Sequence, residues 1–549
     1  MAEALGTALS LVGAVGVLGQ IFSGCIKAYS IFTSASNLGR DSERLVCKIR
    51  IEEMRLLVWG REWGVVEGKL EAHLQAESTA GNERIRQLAT QILSELYKTI
   101  TDFRRLQDKY GLVQEPTSPN GEKIVAQKTS KNGQSVATDK EKFNMLLKDL
   151  KDYNDGLEQL FPSSRLATLH RTWTNELLQQ ADSLAKLAIL EKYCCPYTDL
   201  QTFSAASGIY PQLNGSASLK QLRLNLDAKP TSKFKSTVAL KIPRPTITIS
   251  DSDPRRSRAV YHNPSTERAE DVLIEWVDYE KGDEDSKFNH RRRVDDLARM
   301  IHSASDRHPD LHTVDCVGYT DDTACCRYGL MYRAPQPSSS TLHALILSND
   351  LRTPDLGDRF RLAHTLAVAL WSLHSLEWVH KSVCSFNILF FPSAFSASAT
   401  QVTASAASIP NIASPCILGF DASRPDDMSE LSVASKNPAA SDLHRHPASL
   451  NGMSRRRYCK SFDIYSLGLV LLEIGLWKVL QTYHRPHYTA ERFRDKVVVQ
   501  NLVPSLGSKA GRLYREVVER CLFAREDLNG QETGHLMEYV VGSLESLRV

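Results

Sequence analysis

The chain has 549 residues, which is long for one hydrophobic core and predicts two to four domains at about 150 residues each. With 42% hydrophobic and 24% charged residues it is typical of a globular protein, and its net charge of +3 does not indicate nucleic-acid binding. The eleven cysteines lack CxxC spacing, so they indicate neither a disulfide framework nor a zinc site and favour a reducing intracellular compartment.

An uncharged run extends from Ala4 to Ile26. As a helix it is long enough to span a bilayer, which takes about 20 residues. A secretory signal would need basic residues before the run, and the charged residue there is Glu3. Two interpretations stay open and are compatible: a helix buried in a bundle, and a helix that enters a membrane conditionally, because small residues four apart permit close helix contact in lipid. The apolar residues of this candidate membrane segment are Leu5, Leu9, Leu11, Val12, Val15, Leu18, Ile21 and Phe22.

Helical patterning dominates the next 170 residues. Apolar residues recur at spacings of three and four in residues 41–63, 82–112, 142–161 and 172–193. The longest stripe consists of Ile85, Leu88, Ile92, Leu96, Ile100, Phe103 and Leu106. Residues 113–140 are polar and rich in turn formers, which predicts a mobile loop. Residues 1–205 are therefore predicted to form an all-helical bundle.

This N-terminal region resembles the HeLo domain of fungal heterokaryon-incompatibility proteins. The resemblance rests on the glycine-containing apolar N-terminus, on the stretch Leu38–Gly60 and on the helical order up to about residue 200. It implies a cell-death module that self-associates and whose first segment inserts into membrane lipids. It also implies a cytoplasmic protein that associates with membranes conditionally and responds to an upstream signalling protein.

The pattern becomes mixed after the bundle. Residues 206–257 contain short β-prone runs among Ser, Lys and Pro, and we interpret them as a linker. Residues 258–262 and 272–279 then predict two strands, residues 288–303 a helix, and residues 316–320 and 325–335 two further strands. This order of elements resembles the N-lobe of protein kinases.

A later stretch, VHKSVCSFNILFF, resembles the catalytic loop of protein kinases. His380, Lys381, Ser382 and Asn387 take the places of His, Arg, Asp and Asn in the motif H-R-D-L-x-x-x-N. In the family the aspartate acts as the base and the asparagine binds magnesium. Ser382 is a poor proton acceptor near neutral pH, and loss of a general base typically costs 10²–10⁴-fold in rate.

The run CILGFDASRP supplies the candidate for the magnesium-binding D-F-G motif as Gly419, Phe420 and Asp421, in reverse order. Glycine at the first place removes the carboxylate that would hold the metal. Asp421, two residues on, is a weak alternative ligand for a metal or nucleotide. No metal site is therefore predicted.

The lysine that binds ATP phosphates is also missing from its expected place. In the predicted strand VLIEWVDY the candidates are Glu275 and Val277, neither of which can pair with phosphates. Lys241 lies in VALKI, which resembles the kinase motif V-A-I-K, but Pro243 follows closely and no glycine occurs from residue 216 to residue 281. A glycine-rich loop over a nucleotide is thus absent from the sequence, and Lys241 is a weak candidate.

The scaffold motifs, by contrast, are present. KSFDIYSLGLVLLEIGLW resembles kinase helix F, with Asp463 at the position that braces the catalytic-loop backbone in that family. The resemblance covers about residues 258–549, with an N-lobe at about 258–335 and a C-lobe at about 340–549. It implies a kinase-like domain in which the base, the metal ligand and the phosphate lysine are all replaced.

The sequence as a whole predicts a multidomain protein, in which an all-α HeLo-like bundle precedes an α+β bilobal kinase-like domain. The favoured hypothesis is a fungal cell-death signalling protein whose pseudokinase domain regulates a membrane-active bundle, with no cofactor. One alternative is an atypical active kinase that binds ATP and magnesium through Lys241, Asn387 and Asp421. Another is a non-catalytic scaffold that binds partner proteins.

Overall fold

The structure, a computed structural model, forms two compact units, Met1–Ala217 and Ser218–Val549. The structure describes residues 16–33, 42–76, 80–110, 112–115, 123–126, 135–160, 165–194, 209–227, 240–251, 253, 255–279, 284–302, 308–336, 338–392, 410–420, 423–425, 442–450 and 458–547.

The first unit is built mainly of helices, as the sequence predicts. Its elements are α1 (Val17–Thr33), α2 (Ser42–Glu62), α3 (Lys69–Ala76), α4 (Ala80–Thr101), α5 (Phe103–Tyr110), β1 (Leu112–Glu115), β2 (Lys123–Ala126), α6 (Ser135–Glu158), α7 (Leu166–Gln180), α8 (Leu184–Tyr193) and the beginning of α9 (Ile209–Asp227). Helix α2 is central, because α1, α6, α7 and α8 all pack against it. Its residues Ile49, Leu56 and Trp59 are almost completely buried, so the core of this unit surrounds α2.

Two of the predicted helices are divided by a local cap. The predicted helix at 82–112 is α4 and α5, and Asp102 between them accepts hydrogen bonds from the backbone N–H groups of Arg104 and Arg105 at 3.0 and 3.2 Å. Ser183 caps α8 in the same way, accepting from the N–H of Lys186. A side chain that satisfies free N–H groups starts a new helix at that point.

The predicted stripe on α4 is displaced at its N-terminal end. Leu88 is 42% exposed, whereas Ala89 and Leu93 are completely buried. The reason is the position of α1, since the Cys25 thiol donates a hydrogen bond to the carbonyl of Leu93 at 3.5 Å. The face of α4 that α1 covers therefore differs from the face that the apolar spacing favours.

The predicted loop at 113–140 contains regular structure. Strands β1 and β2 pair antiparallel with Leu112 opposite Ala126, and α6 begins at Ser135.

The predicted linker at 206–257 needs a correction as well. It includes α9 and strands β3 (Lys241–Ile242) and β4 (Ile247–Ile249), and the boundary between the compact units falls after Ala217. Both strands join the main sheet of the second unit, which is why the β-prone runs have their pattern.

A six-stranded sheet opens the second unit. The further strands are β5 (Arg256–Asn263), β6 (Arg268–Asp278), β7 (Cys316–Asp322) and β8 (Arg327–Arg333), and the spatial order is β3-β7-β8-β6-β5-β4. The β3–β7 pair is parallel and the other pairs are antiparallel. Helix α10 (Glu284–Ile301) packs against β7 and β8. The predicted sequence of strand, strand, helix, strand, strand is confirmed by these elements.

Helices form most of the remainder of this unit. They are α11 (Leu342–Leu347), α12 (Leu356–Ser375), α13 (Pro447–Leu450), α14 (Lys460–Leu476), a helical turn at Ala490–Arg492 that continues through a π-helix at Phe493–Leu502 into α15 (Val503–Ala510), then α16 (Arg512–Leu522) and α17 (Gly530–Ser546). Short strands β9 (Ser340–Thr341), β10 (Trp378–Val379), β11 (Ile388–Phe390), β12 (Cys416–Ile417) and β13 (Arg424–Pro425) connect them. Helix α14 is buried from Ser461 to Leu476. A helix that is apolar all round lies at the centre of a core, and α12, α15 and α16 pack around this one.

Candidate functional site

The stretch between β10 and β11 is held by one buried carboxylate. The Oδ2 atom of Asp463 accepts from the N–H of His380 at 2.7 Å, and its Oδ1 atom accepts from the N–H of Lys381 at 2.8 Å. The Tyr458 hydroxyl donates to Oδ1 at 2.8 Å, and His374 Nε2 lies 3.2 Å from Oδ2. Asp463 is thus the brace of this loop, the role that the resemblance implies.

The charge of Asp463 is stabilised by these contacts. Complete burial alone would raise the pKa of its carboxyl, but the hydrogen bond and charge of His374, with His380 and Tyr458 nearby, hold that pKa below its usual value. The bracing also sustains Lys381 in a left-handed backbone conformation, with φ at +68°. Such a conformation costs about 1–3 kcal/mol in a non-glycine residue and persists only where the surroundings enforce it.

Ser382, at the position of the catalytic base, takes part in packing within the loop. Its N–H donates to His380 Nδ1 at 3.3 Å, and its carbonyl accepts from Asn387 Nδ2 at 2.7 Å. The residue is only 4% exposed. Ser382 is therefore a buried part of the loop structure.

Two arginines that the sequence analysis did not single out bind Asn387. The Oδ1 atom of Asn387 accepts from Arg255 Nη2 at 2.6 Å and from Arg256 Nη2 at 3.2 Å. Arg256 Nη1 also donates to the carbonyl of Phe386 at 3.3 Å. The side-chain oxygen that would bind magnesium in a kinase is therefore occupied by guanidinium groups from the sheet.

Glu275 completes this network. It lies on β6 opposite Arg256 on β5, and its Oε1 atom accepts from Arg256 Nη2 at 2.5 Å. Its Oε2 atom accepts from the Tyr332 hydroxyl at 3.0 Å. Burial alone would raise the pKa of Glu275, but Arg256, with Arg255 and Tyr332, keeps it below the usual value. The position expected for the ATP lysine thus carries a charged carboxylate that neutralises one of the two arginines.

Lys241 and Val277 do not join the network. Lys241 is exposed on β3, and strands β7 and β8 separate it from β6. Val277 is buried in the core beneath α10. In the structure, the candidate phosphate lysine is therefore distant from the residues around Asn387.

The segment at Gly419 and Phe420 packs directly against the loop. Gly419 has φ at +92°, and a Cβ atom there would overlap the side-chain amide of Asn387. Phe420 is buried, with its ring 4.8 Å from that of His380. Asp421 lies outside the described residues. Because Asn387 fills the space beside Gly419, a carboxylate does not fit there without rearrangement.

A small cavity lies beneath the loop. Its described lining is mostly apolar and includes side chains of α12 and α14, together with His380, Asn387 and Phe420. None of these lining residues is Lys, Arg, Asp or Glu, so the cavity is unsuited to phosphate or to a hard metal ion.

The first unit buries one side of the described part of the candidate membrane segment, although Val17 is 58% exposed. Leu18 and Phe22 are 2% and 4% exposed and Ile21 is partly buried, whereas Leu5, Leu9, Leu11, Val12 and Val15 lie outside the described residues. The Phe22 ring lies directly on Gly60 of α2, where a Cβ atom would overlap it. Gly24 faces α4, and a Cβ atom there would be 2.9 Å from the Tyr97 ring. Two glycines thus permit close packing of α1 on its neighbours.

A buried charge cluster also lies on α2. The guanidinium of Arg55 donates to Glu52, Asp155 and Glu158 at 2.7–3.0 Å. His170 Nε2 lies 3.1 Å from Glu158 Oε2. Burial would raise the pKa of Glu158, but His170 and Arg55 outweigh it and lower that pKa to about 2. The cluster joins α2, α6 and α7 through charge-assisted hydrogen bonds.

Among the described residues, no helix combines the length and the hydropathy needed to cross a bilayer. The run from Ala4 to Ile26 extends beyond this part of the chain. Membrane insertion therefore stays a prediction.

Comparison with protein-family models gives two matches. Residues 10–135 and 127–190 match the HeLo family, described as prion-inhibition and propagation. Residues 269–539 match a domain of unknown function, DUF7580. A search of curated proteins finds no match to this chain.

The first match confirms the resemblance of the N-terminal region to HeLo domains. It covers about a third of the chain. The second match carries no statement of activity, so the interpretation of residues 258–549 rests on their own geometry.

Proposed function

We propose that this protein is a fungal cell-death signalling protein in which a catalytically inactive, kinase-like domain regulates a membrane-active HeLo domain. The kinase-like domain comprises the predicted region 258–549 together with the preceding strands β3 and β4 and the start of β5, with its sheet as one lobe and its helices as the other. The proposed partners are other copies of this chain, bound through the HeLo region, and membrane lipids. The trigger is a signal received by the kinase-like domain, and no nucleotide or metal is consumed.

One observation carries the inactive assignment: Arg255 and Arg256 occupy the oxygen of Asn387. A magnesium ion bound to that oxygen would lie about 4 Å from a guanidinium charge. Repulsion between charges of +2 and +1 at that distance is on the order of 8 kcal/mol at an effective dielectric constant near 20. Transfer of a phosphoryl group depends on metal ions that neutralise its charge. The network therefore supports a cleft in which the protein's own side chains exclude magnesium from Asn387.

The residues of the loop also support the conclusion that the kinase-like domain is inactive. Ser382 is buried in hydrogen bonds within the loop, and Gly419 leaves no space for the second metal ligand. Asp463 nevertheless keeps the loop backbone in a strained conformation. A braced loop without a base is compatible with a domain that transmits a conformational change instead of catalysing a reaction.

The packing of α1 supports the membrane role of the first unit. Its described part is docked through Leu18, Phe22 and Cys25 rather than exposed. A helix that is docked in one state and released in another can act as a switch, provided that the signal favours the released state. Release of α1 would free the whole uncharged run Ala4–Ile26 for insertion, and that run is long enough to span a bilayer.

Dye leakage from vesicles of phosphatidylcholine and phosphatidylserine tests the membrane role in the full chain. We expect Gly60→Ala, which displaces Phe22, to increase leakage over the unmodified chain. Adding Val12→Glu should abolish the increase, because a charge at the centre of a bilayer helix costs about 3 kcal/mol. Val66→Glu is the matched control, since Val66 is 44% exposed and outside α1. Equal leakage with Val12→Glu and Val66→Glu would remove the membrane role.

A thermal-shift titration separates the proposal from the active-kinase alternative. We expect ATP with magnesium to leave the unfolding temperature of the full chain unchanged, since ligand binding to the native state raises it. Saturable stabilisation, together with transfer of phosphate to a generic protein substrate, would replace the proposal by an atypical kinase. Stabilisation without transfer would establish nucleotide as a structural ligand and contradict the closed cleft.

A further inference from the structure

Helix α9 belongs to both compact units, because the boundary between them falls within it, after Ala217. Its first half is fastened within the first unit. The side-chain amide of Asn214 donates to the carbonyl of Glu191 on α8 at 2.5 Å, and Leu213 and Ala217 are completely buried. The helix continues without a break to Asp227, so its backbone is a stiff connection between its two halves.

The second half of α9 is held by a buried charge contact. Lys220 Nζ lies 2.9 Å from Glu377 Oε1, and Arg223 Nη1 lies 3.4 Å from Glu377 Oε2. Residues three apart lie on the same face of a helix, so both cations meet one carboxylate. The two cationic residues are 0% and 1% exposed, and such side chains are almost never fully buried unless they are paired. The preceding residue, Leu219, belongs to the same apolar core as Trp378.

Glu377 occupies the turn that leads into the loop braced by Asp463. It follows α12 and directly precedes β10, after which the chain continues into His380. The N–H of Glu377 donates to the carbonyl of His374 at 3.0 Å, and its backbone is left-handed, with φ at +61°. Such a conformation persists only where the surroundings enforce it. Since His374 and His380 both contact Asp463, the cations of α9 act on a turn that is tied to the brace at both ends.

We propose that Lys220, Arg223 and Glu377 form a regulatory latch, through which α9 controls the conformation of the loop at 378–387. In the closed latch, Glu377 is the counter-charge of two buried cations and the turn keeps its left-handed conformation. Opening removes both cations together, so the turn can relax and the loop loosens.

The latch also gives the loop a physical connection to the bundle. Rigid secondary-structure elements carry coupling between distant sites, and α9 is such an element. A movement of its second half is therefore transmitted to its first half and to the contact of Asn214 with α8. This inference rests on the proposed regulation of the HeLo domain, and it names the element that carries the signal.

Hydrogen exchange of the full chain tests the latch. Glu377→Gln keeps the shape of the side chain and removes its charge. Loss of one partner of a buried ion pair is strongly destabilising, but the side chain of Glu377 is 34% exposed and solvent screens part of the effect. We therefore expect the amides of residues 218–227 and 378–387 to exchange about tenfold faster, while those of α16 and α17 stay unchanged.

Two further variants serve as controls for charge. Glu267→Gln is the matched control, because Glu267 is an exposed glutamate of the same unit that also lies in a turn with positive φ, at +54°. It should leave the exchange of both segments unchanged. Adding Lys220→Met and Arg223→Met to Glu377→Gln should restore slow exchange, since apolar replacement of a whole buried ion pair is close to neutral. Exchange as fast as in Glu377→Gln alone would mean that charge does not hold α9.

Asn214→Ser tests the transmission along α9. Serine has a similar helix propensity but a shorter side chain, and the substitution lies in the first unit. We expect residues 378–387 to exchange about fivefold faster, which is the equivalent of one hydrogen bond. A purely local role of Asn214 would leave that loop unchanged and would overturn the proposal, and this result can be read even if Glu377→Gln fails to fold.

The remaining outcomes are equally decisive. Equal exchange of residues 378–387 in Glu377→Gln and Glu267→Gln would overturn the latch, as would faster exchange of residues 218–227 alone or of every helix together. No membrane enters these measurements. A failed leakage assay would therefore leave the latch intact, and a failed latch would leave the membrane role to the leakage assay.

Discussion

Substitution of Gly60 by alanine offers a direct way to loosen α1. The added methyl group would overlap the ring of Phe22, which is 4% exposed. Full burial of a phenylalanine side chain contributes about 2–3 kcal/mol, and a ring forced out of its place loses most of it. We therefore expect the free energy of opening of α1 to fall by about 2 kcal/mol. Because 1.4 kcal/mol is a factor of ten, its amides should exchange about 30-fold faster.

Hydrogen exchange of the full chain measures this effect helix by helix. Amides of residues 17–33 should exchange faster in Gly60→Ala, while those of α2 should not, since alanine favours a helix over glycine by about 0.5–1 kcal/mol. Gly156→Ala is the matched control. Gly156 is also inside a helix of the bundle, and the nearest atom to its added methyl is Cδ1 of Ile92, at 3.3 Å, a flexible side-chain end.

The reasoning would be refuted if α1 exchanged equally fast in Gly60→Ala and Gly156→Ala. Phe22 would then have found another buried position, and the contact with Gly60 would not hold the helix. Faster exchange of α1 and α2 together would also count against it, because the loss would be one of global stability. Selective opening of α1 is the result that supports a releasable segment.

Three further predictions concern buried charges. The pKa of Glu158 is lowered to about 2 from 4.5, so this carboxylate stabilises the folded state by about 3 kcal/mol. The contribution is complete above about pH 4.5 and is lost as the pH falls toward 2. Acid titration of Glu158→Gln should lack this part of the pH dependence. Arg256→Met leaves the carboxylate of Glu275 buried without its main partner and should cost about 3–5 kcal/mol in denaturant unfolding, whereas adding Glu275→Met should restore most of the loss. Asp463→Asn deprives one backbone N–H of its acceptor, so the second unit should lose about 1–3 kcal/mol and residues 379–387 should exchange faster.

Each of these predictions has a control that distinguishes the loss of a specific interaction from general destabilisation. Glu67→Gln removes an exposed carboxylate of the same unit and should leave the acid transition unchanged. An equal shift in both variants would contradict the role of Glu158. A double variant as unstable as Arg256→Met would mean that packing, not charge, dominates there. Tyr458→Phe removes one hydrogen bond to Asp463 and should cost about 1 kcal/mol. If Tyr458→Phe lost more stability than Asp463→Asn, the hydrogen bonds of Asp463 would not be the main support of the loop.

The elements that follow from periodicity were largely predictable. Helix α14 spans Lys460–Leu476 where the sequence predicts it at 460–477, and β6, α10, β7 and β8 follow in the predicted order. Apolar spacing determines which face of an element is buried, so it carries this information locally. The end of α4 and the start of α8 were missed because a single capping side chain, Asp102 or Ser183, decides them.

The network that fills the candidate site could not be predicted in the same way. Arg255 and Arg256 bind Asn387 across about 130 residues of sequence, and no local pattern indicates such a pairing. Both arginines lie in the stretch 206–257, which the sequence analysis interprets as a linker. The sequence identified what is missing from a kinase site, namely the carboxylates at 382 and 419. The structure was needed to find what replaces it.

The tight contact between Gly419 and Asn387 has a consequence for the history and the redesign of this domain. An aspartate introduced at 419 alone would collide with the amide of Asn387, which two arginines hold in place. Removing the arginines first would leave Glu275 buried without a counter-charge. No single step toward metal binding is therefore tolerated, and several positions would have to change together. A metal-binding cleft would therefore have to be built by concerted substitution at these positions and not by restoring one residue.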